Sequence, residues 1–128
     1  MLADEVYEAV NENNHKIRID MRSAAEKENQ SPPELLLSAL AGCAAVDIVV
    51  MLKKRRKSIT RFEIITEGTR QKTTPRYFTR IHSRYVITSP DVTEEELFKV
   101  AGLSLEKYCT VAASLKSELT YSVEVVRP

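Results

Sequence analysis

The chain has 128 residues, 43% of them hydrophobic and 29% charged, with a formal net charge of +1. That is the size and balance of one globular domain able to bury a core, and it supplies no global attraction to nucleic acid or to an anionic membrane. Two cysteines are too few for a disulfide scaffold, and with two histidines they lack close-spaced zinc-type pairs, so no metal and no cofactor are expected and a reducing cytoplasm is the default compartment.

The opening MLADEVYEAV has neither a basic start nor an apolar run, so it does not read as a secretory signal. No repeat and no Gly/Ser-rich linker divides the chain, which reads as a single domain over residues 1–128. Residues 3–22 predict a hairpin. Val6, Glu8 and Val10 alternate with Tyr7 and Ala9, the asparagines around Glu12 supply turn chemistry, and Ile17, Ile19 and Met21 alternate with charged partners. SAAEKENQ, residues 23–30, reads as a polar, flexible loop.

Ser31 is the expected N-cap of a helix that opens on Pro32-Pro33-Glu34 and runs to about Lys57. Residues 35 to 52 are almost wholly apolar, but the run is diluted by Ser38, Gly42 and alanines. A span needs about 20 strongly apolar residues. Asp47 near its middle would cost roughly 2.5–3.5 kcal/mol in a bilayer. A core helix is therefore expected and no membrane partner. A helix apolar on nearly every side exceeds what a chain of this length covers by itself, so a twofold dimer is expected to share it. The basic run at residues 53–57 reads as a solvated last turn at the negative end of the helix dipole, not as a nucleic-acid site.

Two strands come next. One spans Ile59 to Thr69. In the other, RYFTRIHSRYVIT, Tyr77, Ile81, Tyr85 and Ile87 share one face and Arg76, Arg80, His82 and Arg84 the other. A second helix is capped by Asp91 or Thr93, carries Leu97, Val100, Ala101 and Leu105 at helical spacing, is interrupted at Gly102, and resumes over residues 104–115. Leu119, Tyr121, Val123 and Val125 line one face of a last strand. The order ββ-α-ββ-α-β is an α+β domain whose long central helix packs on a mostly antiparallel sheet.

Cys43 sits mid-helix with Asp47 one turn later on the same face. By composition both Cys43 and Cys109 are small buried hydrophobes, and a neighbouring carboxylate raises a thiol pKa rather than lowering it. His82 reads as a lone exposed or interfacial histidine, and Tyr108 as core or interface packing.

Two passages add to this. SPPELLLSALAGCAAVD resembles the central-helix motif of the OsmC/Ohr family, and LEKYCTVAASL resembles that family's second cysteine segment, in the same order and with two strands and a helix between. LKKRR and LSLEKYC are similar to the uncharacterised OsmC-like branch rather than to the well-understood peroxidases. The resemblance implies an intertwined homodimer and a thiol peroxidase serving oxidative-stress defence. Cys43 would be the peroxidatic cysteine, Cys109 the resolving one and Glu34 the helper carboxylate. The substrate would be an organic hydroperoxide and the reductant an external dithiol. Two features depart from the family pattern. Glu34 lies nine residues before Cys43 instead of ten, a rotation of about 100° on a helix. No arginine can be assigned to the thiolate by motif: Arg18 and Arg22 are in the N-terminal region, and Arg76, Arg80 and Arg84 read as a solvated strand face. The alternative reading is a non-catalytic dimeric module that holds a small apolar or thiol-reactive ligand.

Overall fold

A computed structural model describes Met1–Pro128. The chain forms two compact units, Met1–Leu36 and Leu37–Pro128, and the first helix begins in one and continues through the other.

In the first unit, β1 (Val6–Val10) and β2 (Lys16–Asp20) pair antiparallel from Val6↔Asp20 to Val10↔Lys16, the expected hairpin. Asn11 builds its turn: the side-chain oxygen accepts the Asn13 N–H at 3.0 Å and the His15 N–H at 2.9 Å, while Asn14 takes a φ of 61°, which asparagine tolerates. The loop after β2 hangs on Asp20. This fully buried carboxylate accepts the Arg22 guanidinium at 2.9 and 2.7 Å and the backbone N–H groups of Arg22, Glu28 and Asn29. The guanidinium and those N–H groups hold its pKa well below the ordinary carboxylate range, against the opposing pull of burial.

Helix α1 spans Pro32–Lys54. The Ser31 carbonyl accepts the Leu35 N–H at 2.9 Å, as an N-cap does, but its hydroxyl donates to Glu34 at 2.8 Å. The helix stops three residues before the expected Lys57. Arg56 takes a φ of 60°, and the Lys57 N–H returns to the Leu52 carbonyl at 3.0 Å, the closure of a Schellman motif. Lys57 therefore leaves the helix and pairs with Glu96 at 3.2 Å.

In the second unit, β3 (Arg61–Arg70), β4 (Phe78–Thr88) and β5 (Glu118–Val126) form a sheet in that order. The β3–β4 pairing is antiparallel and the β4–β5 pairing parallel, so with the hairpin two of three pairings are antiparallel. One face assignment needs correction. Ile81, Tyr85 and Ile87 do point inward, but Tyr77 lies outside the strand and Phe78 takes the inner position. Thr69 and Arg70 of β3 pair with Arg80 and Phe78, so β4 carries one extra residue, Thr79, and that bulge reverses its alternation.

Leu40, Ala44, Ile48 and Leu52, spaced four apart, form the buried stripe of α1. The last three join Tyr85, Ile87, Val92, Leu97, Val100 and Ala101 in the main core. By length and composition α1 would pass as a membrane span, and its buried stripe is packed on the sheet instead. Its other side stays open within the chain: Val46 is 65% exposed and Val50 45%.

Helix α2 (Glu94–Leu103) starts at Thr93 with a reciprocal capping box. The Thr93 hydroxyl accepts the Glu96 N–H at 3.1 Å, and the Glu96 carboxylate accepts the Thr93 N–H at 3.2 Å. Asp91 instead accepts the Ser58 N–H at 3.0 Å. The expected break at Gly102 is absent. Gly102 is helical, and its missing side chain lets the Tyr121 hydroxyl approach to 2.5 Å of where a Cβ would stand. The irregularity comes later, as a π-helical turn over Ser104–Tyr108, an extended Cys109 (φ −73°, ψ 108°) and the short α3 (Thr110–Ala113).

Candidate functional site

The structure brings the two cysteines together. Cys43, half-buried on α1, packs against Cys109, which is 3% exposed. Around them lie Leu37, Leu40, Phe78, Ile81, Leu105 and Ala112, so the pair sits in an apolar cluster separate from the main core.

Backbone irregularity positions Cys109. Its N–H donates to the Ser104 carbonyl at 2.7 Å, five residues back, which closes the π-helical turn. Its sulfur then caps α3, accepting the Ala112 N–H at 3.3 Å. Burial, reinforced by the Cys43 thiol beside it, pushes the Cys109 thiol up to about 11, outweighing the N–H donors that favour the thiolate. Cys109 is therefore protonated at neutral pH.

Asp47, one turn past Cys43, accepts a hydrogen bond from the Ser104 hydroxyl at 2.8 Å, and Ser104 is fully buried. The carboxylate within the apolar run is thus partnered across to the second cysteine segment. Beside it a groove of about 510 Å³ is lined by Asp47, Val50, Met51, Lys54, Leu103 and Tyr108. It combines an apolar floor with one acid, one base and a phenol, in the size range of small-molecule sites. Tyr108, 60% exposed, belongs to its wall and not to the core.

The remaining candidates fall elsewhere. Glu34 pairs with Lys27, within the first unit, and accepts from Ser31. Its cation is a loop lysine, not an arginine. Arg22 is held by Asp20 and Arg84 by Glu124. His82 is part-buried on the sheet's outer face, its ring nitrogens at 2.7 Å from the Thr120 hydroxyl and 3.0 Å from that of Ser122. No cluster of three or more His, Cys, Asp or Glu side chains arises in the chain. Sequence reasoning missed Asp20, Lys27 and Ser104. All three act across turns or between segments, where periodicity carries no signal; the only trace of Ser104 was an unexplained aspartate needing a donor.

Fold and paired thiols together define an α+β protein of the OsmC type. The OsmC-like protein family matches residues 25–124, and the chain belongs to that family. It is 35% identical over 114 residues to Protein YhfA of Escherichia coli, covering 88% of this chain and 84% of that protein. A hypothetical protein from Aquifex aeolicus VF5 superposes with a TM-score of 0.76 at 27% identity, over 100% of this chain and 99% of that one. The organic hydroperoxide resistance protein OhrB of Bacillus subtilis superposes with a TM-score of 0.60 at 17% identity, over 94% and 95% of the two chains, a likeness of fold.

Proposed function

We propose that the protein is a thiol-based reductase of organic hydroperoxides, with Cys43 as the attacking thiol and Cys109 as the resolving one. The observation that carries this reading is the packing of two thiols from separate segments; Asp47, one turn past Cys43, and Tyr108, next to Cys109, line an amphipathic groove. Cys43 has the more exposed sulfur-bearing side chain and meets the substrate first. Its sulfur attacks the terminal peroxide oxygen, the O–O bond breaks, and the thiol's proton ends on the departing alkoxide to give the alcohol. Cys43 is left as a sulfenic acid. Cys109 then attacks that sulfur. The S–S bond forms as the S–O bond breaks, and the Cys109 proton joins the departing hydroxide to make water. Because burial pushes the Cys109 thiol up to about 11 and the thiolate is the nucleophile, its proton has to leave as the sulfur attacks. An external dithiol returns two electrons and reopens the disulfide. Protecting Cys43 from over-oxidation is the purpose of the second thiol.

The same reading takes the protein to be a homodimer in a reducing cytoplasm. The support is the apolar surface left open within one chain, including Val46, Val50, Phe98 and Tyr108.

The test is a titration of free thiols before and after one equivalent of cumene hydroperoxide. Loss of two thiols per chain with cumyl alcohol released, abolished in Cys43→Ser, is the expected result. Two unreacted thiols would reject the reductase and leave a ligand-holding module built on the same groove.

A further inference from the structure

Ser104 is fully buried and bonds in two directions. Its hydroxyl donates to Asp47 Oδ2 at 2.8 Å, and its carbonyl accepts the Cys109 N–H at 2.7 Å. Asp47 stands one turn past Cys43 on the regular helix α1. A continuous path therefore joins the thiols through structure: Cys43, a turn of α1, Asp47, Ser104, the π-helical turn, Cys109.

We propose that Ser104, anchored by Asp47, is a positioning residue for the cysteine pair, holding the π-helical turn in the register that places Cys109 against Cys43. The proposal rests on the redox reading of the pair given above. A π-helical turn is rare because an i→i+4 register competes with it, so a chain that keeps one has something holding it there. A hydroxyl-to-carboxylate bond, here part-buried, is a stronger hold than one between neutral groups. Were the segment to relax to ordinary α-helix, one residue of register would turn the downstream residues by about 100° about the axis. Cys109 would swing off Cys43, and its sulfur would leave the N-terminus of α3. Tyr108 would move too, so the same anchor sets the wall of the groove.

The experiment separates this anchor from the hydroperoxide chemistry. Wild type, Ser104→Ala, Asp47→Asn and Ser104→Thr are equilibrated in buffers of reduced and oxidised dithiothreitol, which need no peroxidase activity. The Cys43–Cys109 disulfide is then quantified by thiol alkylation and mass, with circular dichroism verifying the fold. Ser104→Ala should need a roughly tenfold more oxidising ratio to reach half disulfide, the scale of one charge-assisted hydrogen bond. Asp47→Asn should shift the same way, and Ser104→Thr, which keeps the hydroxyl, should return to the wild-type ratio. A second arm adds one equivalent of cumene hydroperoxide and traps sulfenic acid on Cys43 with dimedone; the trapped fraction should rise in Ser104→Ala as closure slows. A folded Ser104→Ala or Asp47→Asn with the wild-type ratio overturns the proposal, as does a wild type that forms no intramolecular disulfide in the redox buffer. If the buffer arm behaves as expected while cumene hydroperoxide oxidises neither thiol, the anchor stands and the hydroperoxide reading fails.

Discussion

The two cysteines are held by different physics. Cys43 stands in regular α-helix, where its direction follows from the register of a buried stripe four residues apart. Cys109 stands in a broken stretch, where a five-residue hydrogen bond, an extended residue and a short helix fix it in turn. The first placement is robust because many side chains share the load. The second depends on a few individual bonds and close contacts. Substitutions around the first should act mainly on stability, and those around the second should act in smaller steps concentrated on chemistry.

The largest effects on stability belong to the packed stripe. Ile48 is fully buried, and Ile48→Ala should cost about 2–5 kcal/mol in a denaturant titration through lost transfer energy and the cavity left behind. Val46, two residues earlier and 65% exposed, should change the same titration by less than about 0.5 kcal/mol on replacement by alanine. Equal costs at the two positions would erase the contrast. A Val46→Ala cost that grows with protein concentration would point to a second chain covering that side of α1.

Two glycines probe the same contrast with opposite signs. At Gly102 an added Cβ would lie 2.5 Å from the Tyr121 hydroxyl, so Gly102→Ala must move the tyrosine or the helix just before the π-helical turn. A loss of about 1–3 kcal/mol is expected. The dithiothreitol ratio that half-closes the disulfide should shift with it. At Gly42, beside Cys43, nothing lies within 4 Å of the added carbon. Gly42→Ala should stabilise a single chain by about 0.5–1 kcal/mol through helix propensity. Destabilisation at Gly42 would mean that another chain's backbone approaches this face of α1.

The difference between the two cysteines also explains what was legible in the sequence. Periodicity announced the hairpin, α1, the strands and the cap of α2, because each has a repeating pattern or a local signature such as Thr93 with Glu96. It also placed Cys43 correctly on a helix. It misjudged Tyr77 and Phe78, since one bulge at Thr79 reverses a pattern that is otherwise strict. It put the helical break at Gly102, where glycine chemistry suggested it. The true break follows Ser104, whose role comes from a bond to Asp47, 57 residues away in the chain. The proximity of the two cysteines came from family resemblance, and no composition or spacing argument would have supplied it. Long-range pairs such as Asp47 with Ser104 leave no trace in a single sequence beyond a polar residue without a local partner.

A further effect is expected in alkaline solution, and it isolates Cys109. An ordinary thiol titrates near 9, whereas folded Cys109 is pushed up to about 11, so between those values the unfolded chain gives up a proton that the folded chain keeps. Stability from this group is therefore whole below pH 9 and is lost as pH climbs towards 11. Tyr85, fully buried and pushed up to about 12 by burial, adds a similar loss beginning about one pH unit higher, where an ordinary tyrosine titrates. The two are separated by chemistry. Cys109→Ala, or the disulfide form of the wild type, has no Cys109 thiol to titrate, so in thermal melts taken from pH 8 to pH 11 the earlier part of the decline should be missing and the later part kept. If the reduced wild type and Cys109→Ala decline in parallel from pH 9 upward, the Cys109 thiol is not sealed as its burial implies, and the contrast with half-buried Cys43 weakens at its chemical end.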